Sequence, residues 1–286
     1  MKIESSPAIC KRRQLSNLKI YILEKTNRAI VRNLVQSKYL DIFAALLIFG
    51  ICTWRNFHGT IYIDAGIQFG IPMSEIVSYM QQGAFPLGIL SMVGAIFSVL
   101  ATRLVGKQNN WGNFIGIFTT VTSGAIDYLF GNHSAIITYP ITFFIQTYAY
   151  SRWKSGERIR KRDIYYYLIL AAGMLLGFAL VYMGAYLFGG ITDPIFLILV
   201  SVIFGLSVGG NVCNAFKYEE TWFSWVIYNI VNLVKNVMQA NLANVVKYLF
   251  YLFNAGITLL DWRWNGDAGE NISDDSNLLE QEVATS

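Results

Sequence analysis

The sequence predicts an all-α membrane protein with about eight transmembrane helices. Hydrophobic residues make up 54% of the 286 residues and charged residues only 14%, whereas a soluble globular chain carries about 25% charged residues. The charges are clustered between long apolar runs, which is typical of a chain that crosses a bilayer several times. The net charge of +4 lies beside these runs, so it indicates membrane topology and not nucleic-acid binding.

The chain begins with a basic arm, residues 1–38. It holds nine Lys or Arg residues against two Glu residues, and its apolar residues recur at near-helical spacing, so we expect part of it to lie on an anionic membrane face. The apolar run 39–54 is short for a span and contains Asp41. We assign residues 39–85 to an extra N-terminal helix followed by an outer loop.

Seven longer apolar segments are predicted to be membrane helices, at 86–104, 112–130, 134–152, 164–188, 194–213, 219–238 and 243–262. Pro86 and Pro194 each stand at the start of a segment, where the missing N–H costs no hydrogen bond. Asp193, just before Pro194, is predicted to cap the helix that follows.

Basic residues predict the orientation of these helices. The densest internal cluster lies between Arg152 and Arg162, so we expect its loop to be cytoplasmic. Counting helices from that loop places both termini on the cytoplasmic side of the cell membrane. The tail, residues 265–286, has six acidic residues and no basic one, which is typical of a solvated disordered segment.

Tryptophans mark an internal repeat. Trp111 and Trp153 flank one pair of segments, and Trp222 and Trp264 flank another at a constant offset of 111 residues. We therefore predict two three-helix repeats, 86–153 and 194–264, joined by a linker loop and linker helix at 154–193. This 3+1+3 order puts both repeats in the same orientation, an arrangement found among transporters.

The candidate site lies in the second repeat. Trp222, Trp225 and Asn229 occupy positions i, i+3 and i+7, so in a helix they share one face. Two indoles and a carboxamide are expected to form a flat slot for a planar aromatic ring that carries an amide, and a cationic ring would gain more from the indoles. The alternative is that both tryptophans are interfacial anchors with no ligand.

Other polar residues inside the spans are candidates because burial in a bilayer is costly for them. Gln146, Asn229 and Asn232 qualify, and Tyr148 lies on the turn next to Gln146; the alternative for each is a hydrogen bond between helices. Asp127 and Asp261 are close to span ends, so we expect them to reach water or lipid headgroups. The sequence shows no Walker-type glycine loop, no ATPase domain and no buried acidic pair of the kind a proton-coupled pump uses, which favours passive transport. We expect no metal and no cofactor.

The segment 218–229, with its W-x-x-W-x-x-x-N pattern, resembles the motif of the PnuC family of vitamin transporters. Asp193 and the segment 146–153 are similar to that family's patterns as well. The resemblance covers residues 86–264. It implies a SWEET-like architecture, a homotrimer, and facilitated diffusion of nicotinamide riboside, which is trapped by phosphorylation inside the cell.

The resemblance also implies which residues contact the substrate. Trp222, Trp225 and Asn229 match the motif, and Gln146, with Tyr148 beside it, is matched by its distance from the end of its segment. The partners implied are a small aromatic substrate and the lipid bilayer, with no nucleic acid. Relatives in the family carry thiamine, riboflavin or deoxynucleosides, so the slot predicts an aromatic heterocycle without deciding which one.

Two other functions remain open at this point. A sugar transporter of the related SWEET architecture would also use aromatic stacking. A membrane-embedded enzyme would need a cluster of acidic, His or Cys residues near an interface, and the two histidines, His58 and His133, lie far apart in sequence. We therefore expect a transporter and not an enzyme.

Overall fold

The computed structural model of the chain describes residues 25–153 and 158–265. The predictions for most of the basic arm, for part of the linker loop and for the acidic tail therefore lie outside the described residues. Within the described residues the fold is all-α, as the sequence predicts, with one small β-hairpin in addition.

Ten α-helices are found in the described ranges: α1 (Lys25–Gln36), α2 (Lys38–Trp54), α3 (Met73–Gln81), α4 (Leu87–Gly106), α5 (Trp111–Leu129), α6 (Ala135–Arg152), α7 (Ile164–Phe188), α8 (Pro194–Ala215), α9 (Thr221–Met238) and α10 (Leu242–Asn265). The seven longer segments predicted from sequence correspond to α4 through α10, and the marginal run corresponds to α2. As predicted, the Asp193 carboxylate accepts a hydrogen bond from Phe196 N at 2.9 Å and caps α8.

Four helices, α4, α7, α8 and α10, are long and apolar enough to cross a membrane, and the bent pair α1–α2 makes a fifth candidate. Helices α5, α6 and α9 are 18 or 19 residues long but interrupt their apolar sequence with polar residues. The multi-pass membrane class is thus confirmed, whereas eight spans remain a prediction.

The predicted outer loop contains local structure that the sequence analysis missed. A short 3-10 helix (Phe57–Gly59) leads into an antiparallel hairpin of β1 (Ile61–Ile63) and β2 (Gly66–Gln68), and α3 follows. The hairpin turn uses two residues with positive φ, Asp64 and Ala65. Tyr62 exchanges backbone hydrogen bonds with Phe85, so the hairpin is tied to the start of α4.

Six helices form a closed ring in the order α4, α5, α6, α8, α9, α10, each packed against the next, and α10 closes the ring on α4. Helix α7 packs on the outside of this ring against α8 and α6, and α2 packs on the outside against α4 and α10. The positions of α2 and α7 relative to the ring are therefore equivalent.

The contact between α7 and α8 is the most extensive in the fold because glycines allow the two backbones to approach. A Cβ added to Gly173 would lie 2.6 Å from the carbonyl oxygen of Gly205, and one added to Gly177 would lie 2.6 Å from that of Ser201. Small residues at such spacing are the usual means by which membrane helices pack closely.

Candidate functional site

An internal cavity of about 170 Å³ lies inside the helix ring. All six ring helices contribute side chains to its wall, whereas α2 and α7 contribute none. A volume of this size holds on the order of ten water molecules, or a small organic molecule in their place. The wall is rich in hydroxyl and carboxamide groups, which explains why α5, α6 and α9 are less apolar than their neighbours.

Trp225 and Asn229 line this cavity from α9. The Trp225 indole packs on the backbone of Gly210, where an added Cβ would lie 2.7 Å from Trp225 Nε1, so a glycine at that position of α8 makes room for the ring. Asn229 is almost fully buried, yet its carboxamide has no hydrogen-bond partner among the side chains and backbone groups that the structure describes. Both groups are therefore available to a ligand.

Trp222 does not line the cavity, although it shares the helix face of Trp225. Its side chain is 1% exposed, and its ring contacts the rings of Trp225 and Trp262 at centroid distances of 5.0 and 5.6 Å. The planes of Trp222 and Trp225 meet at 66°, so the two indoles do not form the flat slot expected from the sequence. Trp222 lies behind Trp225 and holds its ring in place.

Gln146, one of the polar residues that the sequence analysis named as candidates, lines the cavity from α6. Its Nε2 donates to Asn113 Oδ1 at 3.3 Å, and the same oxygen accepts a hydrogen bond from Asn214 Nδ2 at 3.0 Å. A buried amide network therefore connects α5, α6 and α8. Because Nε2 is occupied by Asn113, it is the carbonyl oxygen of Gln146 that remains for a ligand.

Tyr148 and Asn232, the other two polar candidates on α6 and α9, are placed differently. The Tyr148 side chain is 45% exposed and is not part of the cavity wall. Asn232 is buried and its Nδ2 donates to the carbonyl oxygen of Tyr228 in the same helix at 3.0 Å, which is not the hydrogen bond between helices considered for it. The structure thus brings Trp225, Asn229 and Gln146 together and leaves these two outside.

The expectation that Asp127 reaches water or headgroups is wrong. Its carboxylate is buried in the cavity wall and forms an ion pair with Lys235, with 2.8 Å between Nζ and Oδ1. It also accepts hydrogen bonds from Gln239 Nε2 at 3.0 Å, Asn132 Nδ2 at 2.6 Å and Tyr139 Oη at 3.3 Å. Four donors offset the cost of burying this charge, which a span inside a membrane otherwise disfavours.

The same expectation fails for Asp261. It is buried near the end of α10, where Oδ2 lies 3.1 Å from Arg32 Nη1 and Oδ1 accepts a hydrogen bond from Asn265 at 2.8 Å. Arg32 belongs to α1, so the carboxylate attaches the N-terminal helix to the bundle. The sequence analysis did not pair these residues, which are 229 positions apart.

Lys247 is a second cavity-lining cation that the sequence analysis missed. Its side chain is 4% exposed, and its ammonium lies 4.4 Å from the ring centroid of Tyr248 and 5.9 Å from that of Tyr251. Lys235 and Lys247 both lie within predicted spans, and ionisable residues at such positions are candidates for function. The presence of a lysine inside a predicted span could therefore have identified both residues from the sequence.

Three tryptophans pack together at one end of the ring. Trp153 Nε1 donates to the carbonyl oxygen of Asn214 at 2.6 Å, and Trp262 Nε1 donates to that of Gly106 at 3.0 Å. Together with Trp222 they form a buried cluster, called here the tryptophan cluster. Its members come from the ends of α6 and α10 and the start of α9, so the cluster packs these three helices together at one end of the ring.

Known proteins are similar to this chain in sequence and in fold. A sequence model of the family described as "Nicotinamide mononucleotide transporter" matches residues 88–264. A solved structure titled "Crystal structure of the Vitamin B3 transporter PnuC" is similar to the fold with a TM-score of 0.55 at 17% identity, and the match covers 79% of this chain and 91% of the other. No curated protein sequence matches. The family match confirms the resemblance inferred from the tryptophan motif.

Proposed function

Because the chain belongs to the nicotinamide mononucleotide transporter family and is a membrane transporter and not an enzyme, we propose that its cavity carries an aromatic vitamin or nucleoside. The compound most consistent with the cavity's indole and carboxamide is nicotinamide riboside or a close relative. The proposed mode is facilitated diffusion, in which the substrate moves down its own gradient through the helix ring.

The observation that carries this proposal is the pair of cavity-lining groups on α9, the Trp225 indole and the Asn229 carboxamide. Asn229 lies four residues beyond Trp225, which corresponds to a rise of about 6 Å along the helix. The Asn229 carboxamide makes no hydrogen bond to a described protein group, so an amide on the ligand can both donate to it and accept from it, and a hydrogen bond of this kind contributes about 0.5–1.5 kcal/mol. An aromatic ring above Trp225 would gain stacking, and a pyridinium ring would gain cation–π attraction as well.

The other predicted contacts receive different roles in this proposal. Gln146 offers its carbonyl oxygen from α6, which is separated from α9 in the ring by α8. Trp222 acts through Trp225, whose ring it holds by edge-to-face contact. Tyr148 is left out because its side chain faces away from the cavity wall.

We further propose the 3+1+3 repeat, with helices 86–153 and 194–264 as its two halves. The closed ring supports this, since α4, α5, α6 and α8, α9, α10 succeed one another around it in the same sense. The equivalent positions of α2 and α7 extend the relationship to four helices on each side, so the N-terminal helix at 39–54 belongs to the symmetry. The basic loop at 154–163 supports a cytoplasmic position for both termini in the cell membrane.

The homotrimer implied by the sequence resemblance also stays a proposal. Light scattering of the detergent-solubilised protein, with the detergent mass subtracted, would measure it. Three copies of the 32.3 kDa chain are expected, and a monomer would contradict the proposal without affecting the assignment of the cavity.

A ligand panel tests the substrate class. Ligands that bind the native state and not the unfolded state raise its melting temperature, by an amount that grows with the ratio of ligand concentration to Kd. Nicotinamide riboside should stabilise the purified protein, thymidine, thiamine and riboflavin test the other aromatic classes, and glucose tests the sugar-transporter alternative. Stabilisation by glucose with no response to any aromatic compound would overturn the proposal. The Trp225→Ala variant is the control, because it should lose the response to every aromatic ligand.

A further inference from the structure

The connection between α2 and α4 contains a helix with one apolar side that the fold leaves uncovered. In α3, Met73, Val77 and Met80 occupy positions i, i+4 and i+7 and therefore share one side of the helix. All three side chains are exposed, and that of Val77 is 63% exposed. The described part of the chain thus leaves this side, called here the α3 apolar face, largely without a partner.

The remaining sides of α3 face the protein and water. The helix packs on the 3-10 helix Phe57–Gly59, and Ile76, at one edge of the apolar face, is only 2% exposed. Glu75 and Ser78 are exposed on the opposite side of α3. An exposed apolar side opposite an exposed polar side is the pattern of a helix that lies in the interface between a membrane and water.

Hydrogen bonds hold both ends of α3 at the end of the helix bundle. Before α3, Ile71 N donates to the carbonyl oxygen of Gly59 at 2.9 Å, and after it Phe85 N donates to that of Tyr62 at 2.8 Å. Phe85 stands two residues before α4, which is long and apolar enough to cross a membrane. Because α3 is tied to the point where this span begins, it lies at the level of the membrane surface.

Exposed aromatic side chains stand on either side of α3 in the chain. Trp54, the last residue of α2, and Phe69, which follows β2, are each more than half exposed. Tryptophan is enriched where a membrane meets water, and α2 belongs to the bent pair of helices that forms a candidate span. The end of α2 is therefore a second point at which this connection meets the membrane surface.

The charges of the connection indicate which kind of lipid surface it fits. Glu75 is the only charged residue of α3, and it lies on the polar side. Residues 56–85 contain no Lys or Arg, which are the residues that anionic headgroups attract. Docking of the apolar face therefore depends on burial of apolar surface, for which zwitterionic lipid is sufficient.

We propose that α3 is an interfacial helix whose apolar face docks on the zwitterionic lipid surface around the start of α4. Its apolar side chains then reach about 5–10 Å into the boundary between headgroups and acyl chains, and its polar side contacts water. A second copy of the chain is a poorer occupant, because a stable protein interface uses about 20–30 residues a side and this face offers three apolar side chains. The inference is independent of the proposed function, since α3 contributes no residue to the cavity wall.

The test places a spin label on each side of α3 in the full chain, reconstituted in nanodiscs of phosphatidylcholine alone. Val77→Cys carries the label on the apolar face, and Ser78→Cys carries it on the polar side as the matched control. Both are made with Cys10→Ser; Cys52 and Cys213 are buried, and the same protein without an added cysteine gives the background. Electron paramagnetic resonance then measures how often each label collides with oxygen, which concentrates in lipid, and with a water-soluble nickel chelate.

Docking on lipid predicts that the ratio of oxygen to nickel collisions is several-fold higher for the label at Val77→Cys than for the label at Ser78→Cys. Frequent nickel collisions at both positions would overturn the proposal, because the face would then lie in water. Shielding of the label at Val77→Cys from both reagents would also overturn it, and dipolar broadening between labels would identify a second copy as the occupant. Met73→Cys against Glu75→Cys gives the same comparison if either of the first two variants does not fold.

Discussion

Lys235 and Asp127 form an ion pair of 2.8 Å inside the helix ring, with both side chains more than nine-tenths buried. The pair joins the last turn of α9 to the end of α5, which are 108 residues apart in sequence. It therefore fixes one end of the cavity across the two halves of the ring.

Breaking this pair from one side should destabilise the protein strongly. Asp127→Asn or Lys235→Met alone leaves a buried charge without its partner, which costs about 3–5 kcal/mol. The double variant Asp127→Asn/Lys235→Met should recover a large part of that loss, since no unpaired charge remains. Unfolding in detergent, followed by intrinsic fluorescence, measures all three. If the double variant lost as much stability as the two single variants added together, the two charges would not depend on each other as predicted.

The close contact of α7 with α8 predicts opposite effects for two glycine substitutions. Gly177→Ala places a Cβ 2.6 Å from the carbonyl oxygen of Ser201, whereas Gly256→Ala places one in open space. Gly177→Ala should lower the melting temperature because the helices must separate. Gly256→Ala should raise it slightly, since alanine favours a helix over glycine by up to about 1 kcal/mol. Equal effects in thermal unfolding would show that the α7–α8 approach is not required.

Arg103 fastens the N-terminal helices to the ring. Its side chain is almost fully buried, and Nη2 donates to the carbonyl oxygens of Leu34, Val35 and Ser37 at the break between α1 and α2. Nε donates to Asp41 at 2.6 Å. Leu34 and Val35 lie in the last turn of α1, where a helix terminus leaves carbonyl groups without partners inside the helix, so Arg103 adds donors at this break beside the bond from Ser37 N to Leu34 O at 3.3 Å.

Substitution of Arg103 by methionine should therefore loosen the junction. Trypsin cleavage after Lys38 is expected to become faster in Arg103→Met, as measured by limited proteolysis and mass spectrometry. Arg55→Met is the control, because Arg55 is exposed at the end of α2. An unchanged cleavage rate in Arg103→Met would mean that other contacts hold α1 and α2 in place.

Asp163 should make stability depend on acidic pH. Partial burial raises the pKa of Asp163. Hydrogen bonds from Tyr218 and from the backbone of Tyr166, together with the nearby Arg160, lower the pKa by more than burial raises it, so the net pKa lies below its usual value. A lowered pKa gives stability that is present above the unfolded-state pKa and is lost as pH falls through the folded-state pKa. The melting temperature of wild type should therefore exceed that of Asp163→Asn near about pH 6 and approach it near about pH 3. A constant difference would contradict this.

The sequence predicted the longer helices well because apolar runs, prolines and capping residues are local signals. The segment 164–188 coincides with α7, and Asp193 caps α8 as expected. The hairpin at Ile61–Gln68 was missed because its strands are three residues long and too short for a periodic pattern. The buried state of Asp127 was missed because its partner is distant in sequence and becomes a neighbour only in the folded ring.

The candidate site was predicted in part. Helical spacing placed Trp225 and Asn229 on one face, and that face does line the cavity. Spacing does not say how far along the axis the cavity extends, so Trp222 was assigned to it although it belongs to the tryptophan cluster at the end of the ring. Tyr148 is two residues from Gln146, about 200° around the helix, and so the pattern itself placed it on the opposite side.

The central claim is that Trp225 and Asn229 hold the transported ring. Uptake of radiolabelled nicotinamide riboside into proteoliposomes tests it most directly, with Trp111→Ala as control because Trp111 is 62% exposed on the outside of the bundle. Trp225→Ala and Asn229→Ala should each lower the uptake rate roughly tenfold or more, since each removes an interaction of about 1–3 kcal/mol, and Trp111→Ala should match wild type. Uptake by folded Trp225→Ala and Asn229→Ala at the rate of Trp111→Ala would contradict it.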